Sequence, residues 1–94
     1  MKYFIVETDI RNGEREYGEQ VVVASSNAEQ AYENTKQWLL EIYACDADEK
    51  WEDDQLDLWD QIIELQWPRE IPWKDYAVLQ KYLPVVQEGS YWSK

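Results

Sequence analysis

QLDLWDQIIELQW, residues 55–67, decides the fold because it reads two ways. As a helix, it is capped by Asp53 or Asp54, its early carboxylates suit the positive end of the helix dipole, and Leu58, Ile62 and Leu65 line up. As a strand, Trp59, Ile63, Leu65 and Trp67 share a period of two, and the β-branched and aromatic content favours extension. Pro68 stops either one. A strand over residues 61–67 is the preferred reading. The chain before it supplies only two strands, and a bare two-stranded hairpin is marginal in water.

Those two strands lie at the N-terminus. In residues 2–10, Phe4, Val6 and Ile10 fall on one face and Tyr3 and Ile5 on the other. Asn12 and Gly13 follow, and this dipeptide is the strongest short hairpin signal because both residues tolerate the positive φ of a type I′ turn. The returning strand spans residues 15–24 and ends in Val21, Val22 and Val23. A turn at Asn12 and Gly13 sets Phe4 near Val21 and Val6 near Glu19, with Gly18 as a bulge that slips this register by one.

Helices fill the remaining positions. Ser26 and Glu29 have capping-box spacing, and Ala28, Ala31, Thr35, Leu39 and Ile42 recur at helical intervals, with Tyr32, Trp38 and Tyr43 widening the stripe. The helix should end near Tyr43 or Ala44. Residues 45–54, CDADEKWEDD, form an acidic connection whose only large anchor is Trp51. Pro72 opens a second helix over residues 73–83, which Pro84 stops. Its buried stripe is Tyr76, Leu79, Tyr82 and Leu83, while Lys74 and Lys81 look outward. Val85 and Val86 suit a short edge strand, and the tail over residues 87–94 is expected to fray. The expectation is a single small α+β domain over residues 1–94, ordered hairpin, helix, third strand (or helix), C-terminal helix: ββαβα.

Charge is the other informative property. Ten of the twenty carboxylates lie between Glu41 and Glu64, opposed only by Lys50, so that window carries −9 of the chain's −11. Carboxylates held this close repel one another, and screening relieves the cost only in part. Folding alone does not require such a run. A net charge of −11 also argues against direct binding to nucleic acid or anionic membrane, since phosphates repel it. Trp38, Trp67, Trp73 and Trp92 lack the basic groove that would make them base-stacking platforms. The first residues show neither a signal peptide nor an apolar span, and Cys45, the single cysteine, has no internal partner. These features fit a reducing, cytoplasmic setting.

Catalysis has little to stand on. There is no histidine, the commonest general base and zinc ligand. Cys45 lies past a helix end, where the dipole disfavours a thiolate, and the serines show no nucleophile-elbow spacing. Three glycines form no phosphate-cradling loop. Asp46, Ala47 and Asp48 begin like a calcium loop, but Lys50 stands at its fifth ligand position, Trp51 where glycine must turn the chain, and Asp57 where a longer Glu belongs. The reading is therefore not an enzyme, with no cofactor and no metal.

A binding role remains. Residues 53–66 read as a helix would align Asp53, Asp57, Asp60 and Glu64 on one face, beside Leu58, Trp59 and Ile62. With Asp48, Glu49, Glu52 and Asp54 they form an acidic surface that a basic, nucleic-acid-binding protein could grip, and Trp51 and Trp59 supply aromatic anchors. In size and composition the chain is similar to the small acidic inhibitors that phages carry against restriction and CRISPR systems. No motif carries that likeness. The competing expectation is an accessory or assembly domain, pairing with itself or a partner through aromatic surface or an edge strand, with the charge serving solubility.

Overall fold

The computed structural model describes residues 1–43, 50–58 and 61–87. Cys45, Asp48, Glu49, Trp59, Asp60 and the tail beyond residue 87, to which several expectations refer, lie outside them. The elements are β1 (Lys2–Asn12), β2 (Arg15–Ser25), α1 (Ala28–Tyr43), β3 (Gln55–Asp57), β4 (Ile62–Leu65), β5 (Arg69–Ile71), α2 (Trp73–Leu79) and β6 (Val85–Gln87). They build a mixed six-stranded sheet ordered β3-β4-β1-β2-β6, with β5 also paired to β1. The α+β reading holds, and the segment over residues 61–67 contributes a strand.

β1 and β2 pair without interruption from Lys2 opposite Ser25 to Asn12 opposite Arg15. The turn is Gly13 and Glu14, one residue later than the Asn12-Gly13 turn expected, with Gly13 at φ 63. A glycine at positive φ in the first central position is the signature of the II′ turn, whose twist matches the strands. Phe4 therefore faces Val23 and Val6 faces Val21, and no bulge forms at Gly18. The displacement from the expected register is two residues, so every side chain keeps its predicted face.

On the other side of β1, one broken strand runs past in two pieces. Thr8 faces Leu65, yet Ile5 faces Arg69, so three residue steps on β1 match four on its neighbour. The extra residue is a bulge between Gln66 and Arg69, centred on Pro68, which has no N–H to give the ladder. Gln66 still donates its backbone N–H to the Glu7 carbonyl at 2.9 Å before the break. Because one residue of slip exchanges the faces, Leu65 points to one side of the sheet and Ile71 to the other.

Each side has its own helix. α1 lays Ala31, Thr35, Trp38 and Leu39 on Phe4, Val6, Ile10, Val21, Val23, Leu56, Ile63 and Leu65. Its cap is Asn27 rather than Ser26: the Asn27 Oδ1 accepts the Gln30 N–H at 2.7 Å, where a helix start leaves donors unpaired. Ile42, expected in the stripe, is 50 % exposed near the last turn, where the helix face has rotated away from the sheet. α2 is shorter than its pattern suggested. Pro72 is its N-cap, and beyond Leu79 the chain tightens into turns that close at Leu83. Tyr76 is buried with Ile5 and Val22, flanked by Leu79 and Leu83, whereas Tyr82 falls outside the helix and is 78 % exposed. Gln87, placed in the tail by sequence, extends β6 parallel to β2.

Candidate functional site

The acidic run folds as turn and strand, which disperses the helical row. Glu52 and Gln55 bracket a tight turn with reciprocal backbone bonds of 2.8 and 3.0 Å, and Asp53 inside it has φ 53. Asp53 and Asp54 sit near Tyr32 of α1 and, after burial, are among the causes that raise its pKa above the usual 10. Asp57 in β3 and Glu64 in β4 belong to the opposite face of the sheet, because Leu56 and Ile63 between them enter the α1-covered core. Trp51 is no free anchor either. Its Nε1 donates to the Lys36 carbonyl at 2.9 Å, and its ring and that of Tyr32 flank the Lys36 ammonium at 5.7 and 4.6 Å. Asp48, Glu49, Trp59 and Asp60 lie outside the described residues.

What the fold assembles instead is an acidic sheet face. α2 covers only the end of its side of the sheet where Tyr3, Ile5, Val22, Ala24 and Ile71 lie. Farther along, alternation brings Glu7, Asp9 and Arg11 of β1, Glu16 of β2, Asp57 of β3 and Glu64 of β4 to the same uncovered surface. Among the described residues, five carboxylates share that half-face with one arginine, and Arg69 stands at its border with α2. Asp9 and Glu64 are directly opposed across neighbouring strands, an arrangement that destabilises a sheet. Two such charges repel by about 1 kcal/mol at 4 Å even with water's dielectric constant. Arg11 forms an ion pair with Glu64, worth little where both are solvated.

Two of the other carboxylates, Asp9 and Glu7, are oriented by amides, which leave their charge intact. Gln66 Nε2 donates to Asp9 Oδ2 at 2.9 Å, and Gln20 Nε2 donates to Glu7 Oε1 at 2.9 Å. Among the described residues no three ligating side chains gather to hold a metal ion, and no helix is long and apolar enough to cross a membrane. The surface offers fixed negative charge over an extended area.

Glu7, Asp9 and Glu16 were missing from the sequence-derived site, although a signal for them existed. Along β1 the face that begins with Tyr3 and Ile5 changes to Glu7, Asp9 and Arg11, while the opposite face (Phe4, Val6, Thr8, Ile10) stays buried throughout. That switch in the outer face marks where cover over the sheet ends. Comparison with protein-family models, curated proteins and solved structures yields no match to this chain.

Proposed function

We propose that this chain is a non-enzymatic interaction protein whose open sheet face binds a basic surface on a partner protein. In its most concrete form the partner is a nucleic-acid-binding protein, and the acidic face occludes its phosphate-gripping site, as phage-borne inhibitors of restriction or CRISPR nucleases do. The observation that carries this reading is Asp9 opposed to Glu64 on an uncovered face, flanked by Glu7, Glu16 and Asp57. Like charges held across a sheet cost stability, and a cationic partner turns that cost into binding and steering. Such binding weakens steeply with salt.

One observation favours a second reading. Trp73, Val78 and Tyr82 around α2 are 57, 55 and 78 % exposed, which suits an aromatic contact with a partner or another copy. Capture of partners by the tagged protein, washed at low and high salt, separates the two. The acidic reading expects a nucleic-acid-binding protein that is shed at high salt and is not captured by the Glu7→Lys, Asp9→Lys, Asp57→Lys triple variant. Undiminished capture by that variant overturns it, and loss on Trp73→Ala with indifference to salt supports the aromatic surface.

A further inference from the structure

Among the described residues, the outer edge of β2 is open over half its length. β6 covers only Val22, Val23 and Ala24. The Val22 N–H points away from β1 to the Pro84 carbonyl at 3.0 Å. The two-residue alternation of an antiparallel strand turns the N–H and C=O groups of Gln20, Gly18 and Glu16 the same way. The next rung toward β6 would bring the N–H of residue 84 to the Gln20 carbonyl, but that residue is proline. Among the described residues, Glu16, Gly18 and Gln20 have no strand partner on this side, and all are exposed.

A groove of about 610 Å³ runs along this edge, with Glu7, Asp9, Gly18 and Gln20 on one side and Leu83 and Pro84 on the other. Gly18 leaves it open. A Cβ there would lie 3.5 Å from the Thr8 carbonyl oxygen and 3.8 Å from Asp9 Oδ1, so the Asp9 carboxylate stands just beyond a glycine instead of behind a side chain.

From this geometry we infer that β2 accepts an extended, lysine- or arginine-rich segment of a partner as an added strand. Its main chain pairs with Glu16, Gly18 and Gln20, and a basic side chain opposite Gly18 crosses it to reach Asp9 and Glu7. The stem of that side chain packs on Leu83 and Pro84 while its charge stays in the acidic groove. A second copy of the chain is the poorer occupant. Pairing β2 with itself would set two acidic faces side by side, about 4.8 Å apart, in chains that each carry −11. The inference rests on the acidic-face reading and adds to it a backbone requirement that electrostatics alone does not make.

That requirement is the test. A short peptide of alternating Lys and Thr is compared with the same peptide N-methylated at every backbone nitrogen, which has equal charge but no N–H to give a ladder in either strand direction. The unmethylated Lys-Thr peptide should bind at low salt, slow amide hydrogen exchange at Glu16, Gly18 and Gln20, and exceed the methylated one in affinity by about tenfold or more. Gly18→Pro removes one outward N–H without changing charge, at an edge position where proline is tolerated, and should weaken the Lys-Thr peptide by a similar factor. If Gly18→Pro does not fold, the two peptides on the wild-type protein decide the matter alone. Equal binding of both peptides, with no slowing of exchange at the edge, overturns strand addition and leaves the acidic face standing. Failure of both peptides to bind overturns the two readings together. A dimer in sedimentation that Gly18→Pro disperses gives the edge to a second copy and overturns the basic occupant.

Discussion

The two faces of the sheet are built from the same strands and come out opposite in character. The face under α1 is sealed along the sheet by a helix of sixteen residues, and its inward positions from Phe4 to Leu65 are almost fully buried and, apart from Thr8 and Ser25, apolar. The face under α2 has a helix of seven residues, and its outward positions turn from Ile5 and Val22 to Glu7, Asp9 and Glu64 within one strand length. The lesson is a division of labour. One side supplies the stability that lets the other hold unfavourable charge in fixed positions.

Substitutions on each face put this contrast to the test. The largest effect is expected from Phe4→Ala on the sealed face, a loss of about 3–5 kcal/mol in urea unfolding. A loss below about 1 kcal/mol would mean that the α1 side is not the main core. Tyr76→Ala, under the short helix, should cost less, about 2 kcal/mol, because α2 can settle into the space its ring leaves against Tyr3 and Trp73. Equal losses for Phe4→Ala and Tyr76→Ala would erase the distinction between the faces. Ser25 lies on the sealed side with its Oγ buried and no hydrogen-bond partner among the described residues, so Ser25→Ala should gain about 1 kcal/mol and raise the melting temperature. Smallest of all, Glu7→Lys combined with Asp9→Lys should raise stability slightly, by about 0.5 kcal/mol, because both positions are exposed and the change at Asp9 turns repulsion across from Glu64 into attraction. The same pair should abolish capture of a basic partner. A large destabilisation would show that these carboxylates serve the fold.

Much of this architecture could be read in the sequence, for identifiable reasons. Alternation in β1 and the three valines of β2 assigned the faces correctly even though the turn was misplaced by one residue, since a two-residue shift in register preserves side-chain direction. β3 and β5 escaped notice because three residues are too few to show a period, and both are defined by what they pair with. The bulge at Pro68 depends on β1 continuing past it, so the proline read alone looks like a terminator. The site was legible only in part. Asp57 and Glu64 were chosen from a dense acidic run, but their spacing was measured along a helix that does not form. Their neighbours on the surface, Glu7, Asp9 and Glu16, lie some fifty residues away in the chain and meet them only through pairing between distant strands.

That long-range pairing bears on how the protein is made. β1 is synthesised well before it is complete: its second edge waits for β4 and β5, and Asp9 must wait for Gln66, 57 residues downstream. Until then a nascent hairpin carries an unpaired edge beside apolar Phe4, Val6 and Ile10, a template for joining another unfinished chain. Glu7, Asp9 and Arg11 alternate along that edge, and charges so placed are the usual guard against such misjoining. The residues that give the finished protein its open acidic face also shield it while it is still on the ribosome.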